Sequence, residues 1–188
     1  NLLGKDQSGQ VQSVGLDLYN RILKEAIAEL RGEEVQLREI VDPELKIGVN
    51  AFIPERYIPD VSERLILYQR LASLEDSLAA DQLRDEMRDR FGELLSEVEN
   101  LLELMRYRAL LRNHGIAKAE LAPDKLVLTF AAQARVNPDR VREVIKLYPD
   151  RYRLAGNSSI VIKGDYRELK DTARLYRPTE ELLGRIAG

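Results

Sequence analysis

The apolar positions of this chain change period several times, and each change marks an element. Leu16, Tyr19, Ile22, Leu23, Ala26, Ile27 and Leu30 recur at helical spacing, and Gly32 is placed to end the helix they predict. Residues 33–43 are polar and irregular and read as a linker. Leu45-Lys46-Ile47-Gly48-Val49-Asn50 then alternates, which predicts a half-buried strand. Pro54 and Pro59 push the residues before them out of helical space, so 52–59 is expected to be a stiff extended link. Asp60 and Glu63 have the spacing of a capping box, opening a helix that carries Val61, Leu65, Tyr68, Leu71 and Ala72 inward.

A second helix, about 78–91, places Leu83, Met87 and Phe91 on one side and stops at Gly92. A third follows, with Leu94, Val98, Leu101, Leu102, Met105 and Ala109 as its buried stripe and Gly115 as its stop. Helices with joints this short pack as antiparallel neighbours. Next, 116–121 and 126–130 form a hairpin across Ala122-Pro123-Asp124-Lys125. Asn137-Pro138 caps and opens a short helix burying Val141, Val144 and Ile145. A second hairpin pairs 152–154 with 160–162 across Gly156-Asn157. Asp165 and Glu168 offer a second capping box, for a final helix that Pro178 is expected to interrupt. The pattern defines an α+β fold in which a helical layer packs with a small, mostly antiparallel sheet.

Composition narrows the possible activities. Of 188 residues, 44% are hydrophobic, enough for a packed core. Lys+Arg 29 against Asp+Glu 32 gives a net charge of -3, which argues against a dedicated nucleic-acid binder, whose footprint is a basic excess. Cysteine is absent, which removes disulfides and thiolate chemistry and fits a cytoplasmic setting. No run approaches the roughly 18 apolar residues of a membrane span, and the opening Leu2-Leu3 is too short for a signal peptide.

Catalytic chemistry finds little support. The 11 glycines form no phosphate-cradling loop, so neither nucleotide nor other cofactor is expected. His114, the sole histidine, falls at a predicted helix C-terminus, where the helix dipole favours a cation-capable side chain over a catalytic one. No metal site is expected. Charge patterning is more informative. Asp81, Asp85 and Asp89 follow one another at i, i+4 on the second helix, with Glu86 on the flank between its buried stripe and solvent. Either Arg84, Arg88 and Arg90 compensate them within the helix, or Glu86 and Asp89 face basic groups on another domain or protein. A competing basic feature joins Arg106, Arg108 and Arg112 on one helix and Arg167, Lys170, Arg174 and Arg177 on another, with Tyr166 and Tyr176 nearby to stack on bases. Glu168 and Asp171 interrupt that run, which favours a solvated or intramolecular face over a nucleic-acid contact.

Several motifs carry a family resemblance. The opening Asn1-Leu2-Leu3-Gly4-Lys5-Asp6-Gln7-Ser8-Gly9 resembles the segment that closes the motor module of bacterial transcription-repair coupling factors. Phe52-Ile53-Pro54, Tyr57-Ile58-Pro59-Asp60-Val61, Arg64-Leu65, Tyr68-Gln69-Arg70-Leu71-Ala72 and Glu86-Met87-Arg88-Asp89-Arg90-Phe91-Gly92 are similar to that family's C-terminal domain. The resemblance implies that 1–43 end a translocase motor and that 44–188 form a regulatory domain without catalysis. It implies a parent with a UvrB-like N-terminal part that recruits UvrA, an RNA-polymerase-binding module and an ATP-driven motor on DNA. The implied role is docking on the UvrB-like part, hiding its UvrA-binding surface until polymerase is engaged. On this reading Glu86 and Asp89 dock, Arg90 orients Glu86, Phe91 locks the helix to the core, and Gln7 couples to the motor. DNA is reached only through the motor. The alternative is an accessory nucleic-acid module using Arg167, Lys170 and Arg174.

Overall fold

A computed structural model describes residues 42–169 and 171–188. The expectations placed on the opening segment with Gln7, on the first helix, on the linker as far as residue 41 and on Lys170 lie outside these residues. The remaining elements are β1 (Glu44–Lys46), α1 (Val61–Ala72), α2 (Ser77–Phe91), α3 (Ser96–Asn113), β2 (Ile116–Ala122), β3 (Lys125–Phe130), α4 (Pro138–Leu147), β4 (Tyr152–Ala155), β5 (Ser159–Lys163) and α5 (Ala173–Ile186). The fold is α+β, as the sequence predicts.

The sheet order is β1-β2-β3-β5-β4. β1 runs parallel to β2, and the other pairings are antiparallel. Both expected hairpins form, their alternation placing Ala119, Leu126, Leu128, Ile160 and Ile162 in the core. The predicted first strand is shorter than its alternating pattern. Only Glu44–Lys46 pair, after which Ile47 stays buried while the chain leaves the sheet. The link that follows is not extended throughout, because the Pro54 carbonyl accepts from both Tyr57 N–H and Ile58 N–H, closing a turn that buries Ile53 and Ile58.

Asp60 caps α1, accepting from Glu63 N–H at 2.9 Å. The helix faces the core differently from the predicted stripe. Arg64, Leu67, Leu71 and Ala72 are buried, whereas Val61 and Leu65 are exposed. Burial of Arg64 explains the rotation. Its guanidinium donates to the Ile58 carbonyl at 2.6 Å and the Pro59 carbonyl at 2.9 Å. The contact with the Ile58 carbonyl is buried, and a buried carbonyl needs a donor. Tyr68 lies at the edge of the core and accepts from Ile53 N–H at 2.8 Å.

α2 begins at its own cap, Asp76, and buries Ala80, Leu83 and Met87. Phe91 at its end is half-buried, edge-on to Tyr57 with ring centroids 6.1 Å apart. α3 follows and is buried nearly all round between Leu101 and Leu111, a wider face than the single stripe predicted. Its position explains this, since it touches α1, α2, α5 and β2. Gly115 ends it in the left-handed region at φ +72°.

α4 is capped by Asn137 with Pro138 in its first turn, as expected. The last helix departs from expectation. Asp165 and Glu168 do not open it: Asp165 bonds Arg167, and α5 begins only at Ala173 after Thr172. Pro178 lies inside α5 without ending it. The stripe Leu175, Thr179, Leu182, Leu183 and Ile186 is buried, and the Thr179 hydroxyl meets the buried Tyr107 hydroxyl at 2.9 Å. Burial of that face outweighs the single backbone hydrogen bond that proline removes.

Candidate docking surface

The sequence singles out α2, and its outer edge is built from two helices. Asp60 and Asp76 fix the starts of α1 and α2, and both helices pack against α3. Their facing flanks carry Glu63 and Arg70 on one side, and Glu86 and Arg90 on the other. Arg70 holds Glu86 in a two-pronged contact, Nη1 to Oε1 at 2.7 Å and Nη2 to Oε2 at 2.5 Å. Arg90 donates to Glu86 at 3.3 Å and to Glu63 at 2.9 Å. Its guanidinium also stands over the Phe91 ring, 4.7 Å from the centroid. The four charges cancel and form a connected lattice, Arg70 to Glu86 to Arg90 to Glu63, across the helix pair.

The Arg70 hydrogen bond holds the Glu86 carboxyl below its ordinary value, with Arg90 adding to the effect. A carboxyl lowered in the folded state contributes stability above its unfolded pKa and loses it as pH falls through the folded value. The Glu86 contacts are therefore expected to persist at mildly acidic pH and to weaken only below the usual glutamate range. A carboxyl-carbon NMR titration should place Glu86 below that range, and Arg70→Ala should move it back.

Asp89 differs from its neighbours. Asp81 pairs with Arg84 at 3.0 Å and Asp85 with Arg88 at 3.5 Å, the compensation within the helix that charge spacing predicts. Asp89 is exposed and has no hydrogen-bond or ion-pair partner among the described residues. A groove of about 450 Å³ adjoins the lattice, lined by Arg70, Ser73, Asp76, Gln82, Leu83 and Glu86. On its inner side α2 is tied to α3 by Arg84, which meets Glu99 at 3.2 Å and also the buried Glu103.

Of the site residues expected from sequence, the fold thus brings Glu86 and Arg90 into contact, while Asp89 lies on the same helix and touches neither through an ion pair or hydrogen bond. Arg70 and Glu63 were not anticipated. They lie 16 and 27 residues from their partners. Their only local signal was a spacing that sets both on one face of α1.

The basic feature is dispersed. Arg167 lies before α5, in a turn, paired with Asp165 at 2.9 and 2.7 Å, while Arg174 is in the first turn of that helix. The expected common helical face is therefore not formed, because α5 starts later than its capping box suggested. Arg106 donates to Ser77 and covers the Tyr176 ring at 4.3 Å, Arg108 pairs with Asp42, and Arg112 donates to the Leu74 carbonyl at 2.7 Å. Tyr176 in turn hydrogen-bonds Ser77 at 2.8 Å. His114 stands at the α3 C-terminus with Nδ1 2.9 Å from the Leu110 carbonyl oxygen. Among the described residues no group of three His, Cys, Asp or Glu is arranged to hold a metal, and no helix is long and apolar enough to cross a membrane.

The described residues thus form a helical layer on a small mixed sheet, with a polar, charge-paired edge between α1 and α2. Residues 47–141 match the TRCF domain family, and the chain belongs to it. It is 32% identical over 172 residues to the transcription-repair-coupling factor of Escherichia coli, covering 90% of this chain and 15% of the relative. The corresponding Haemophilus influenzae protein is 35% identical over 158 residues, 82% of this chain and 14% of the relative. The chain thus spans about one seventh of the length of these relatives. A crystal structure of the C-terminal domain of transcription-repair coupling factor shares the fold, with TM-score 0.60 and 21% identity over 76% of this chain and 94% of that one.

Proposed function

We propose that this chain is the regulatory end of a transcription-coupled DNA repair translocase and works by docking, not catalysis. Residues 44–188 form the docking domain, and 1–43, with Gln7, belong to the end of the motor module. The α1–α2 edge docks on a basic surface of the parent's UvrB-like N-terminal part and covers the surface that binds UvrA. Engagement of RNA polymerase releases it, and DNA is contacted by the motor.

The observation that carries this reading is Asp89, an exposed carboxylate without a partner beside a lattice whose other charges are matched. Such an edge suits a reversible contact. A masked state must lie only a few kcal/mol below the open one, on the order of 3–5, for partner binding to shift it. An interface of polar groups opens more readily than an apolar one.

Calorimetry of the chain with the UvrB-like fragment, at two salt concentrations, tests the reading. Glu86→Ala/Asp89→Ala is expected to raise Kd about tenfold or more at low salt and to flatten the salt dependence. Binding that ignores both the substitutions and the salt would overturn the assignment of the acidic edge.

A further inference from the structure

Ile66 has no local reason to be isoleucine. It is 50% exposed on α1, and a β-branched side chain lowers helix propensity where no packing compensates. At about 100° per residue, Ile66 lies within roughly 60° of both Glu63 and Arg70 around the helix. Glu63 is one turn before it and Arg70 one turn after it. Both reach across to α2, to Arg90 and Glu86 respectively. Ile66 is therefore an apolar spot against the border of the ion-pair lattice. Val61 and Leu65 are similarly exposed, at 55% and 47%, but they point to the other flank, about 100° or more away.

We infer that Ile66 is the apolar anchor of the docking face, covered by an apolar side chain on the basic surface of the UvrB-like part. The inference rests on the docking role proposed above. Every member of the lattice already has an internal partner, and exposed pairs of this kind add little to association. Interfaces draw most of their affinity from a few desolvated apolar contacts ringed by polar groups, and Ile66 beside four matched charges has that arrangement. The lattice sums to zero and Asp89 is left over, so the complementary surface is basic, with its apolar group next to a cation. A second copy of this chain fits less well. Two-fold self-association through the same edge brings one acidic edge against the other.

The test compares Ile66→Ala with Leu65→Ala, both neutral truncations on one helix, by calorimetry against the UvrB-like fragment, with sedimentation of the chain alone. Wild type and Leu65→Ala are expected to bind alike, Ile66→Ala about tenfold more weakly, and Ile66→Leu near wild type. Equal binding by Ile66→Ala and wild type, or equal weakening by both alanines, overturns the inference while leaving docking intact. So does self-association of the wild type that Ile66→Ala abolishes without affecting fragment binding. Failure of the wild type to bind overturns the docking role itself, and the inference with it.

Discussion

Gly115→Val is expected to lower folding stability by on the order of 3 kcal/mol or more, read as a shift in the denaturant midpoint with m unchanged. Two effects act together there. The backbone sits at φ +72°, which a β-branched residue adopts only with strain. A Cβ at this position would also meet Ala134 Cα at 2.8 Å and Ala134 Cβ at 3.0 Å. The Cα is main chain and the Cβ is fixed to it, and neither can swing aside, because Ala131 N–H donates to the Gly115 carbonyl at 2.8 Å and Ala134 N–H to that of Ala131 at 3.0 Å. Gly92 supplies the control. It has φ +87°, but nothing lies within 4 Å of an added Cβ. Gly92→Ala should therefore show backbone strain alone, about 1–3 kcal/mol. Equal losses at the two sites would show that the approach of Ala134 is relieved by relaxation.

The second large effect separates the core from the α1–α2 edge. Leu102→Ala is expected to cost about 2–5 kcal/mol, because the side chain is fully buried in a helix packed on several sides and the cavity cannot collapse. Ile66→Ala, removing a residue of similar size, should change stability by no more than about 0.5 kcal/mol, since its side chain is half in water already. Equilibrium unfolding of both variants checks this. A large loss for Ile66→Ala would make it a packing residue and not a contact surface.

These contrasts also show what the sequence could convey. The two hairpins and α4 were legible because their signals are local: the period-2 runs of β2, β3 and β5 and the Asn137-Pro138 cap. The orientation of α1 was not. Its apolar residues Val61 and Leu65 match a helical stripe, but the buried Ile58 carbonyl takes its donor from Arg64, which sets Arg64 on the inside, and that demand comes from packing. The start of α5 was misplaced for a related reason. Asp165 has a competing partner two residues away in Arg167, so the apparent cap is a turn. At the candidate site, Glu86 and Arg90 could be paired from their i, i+4 spacing. Arg70 and Glu63 arrive from another helix, and only packing brings them within reach.

The topology of β1 has a mechanical consequence. β1 is three residues long, lies at the sheet edge and is joined to the sheet only through β2, a strand that follows it after three helices. Just before it, Asp42 is gripped by Arg108 of α3. Tension along the chain from the N-terminal side meets the Asp42–Arg108 contact and then this short ladder before any hydrogen bond among β2, β3, β4 and β5. The domain thus has a first grip made of one ion pair and a three-residue ladder, separate from the pairings among the four antiparallel strands.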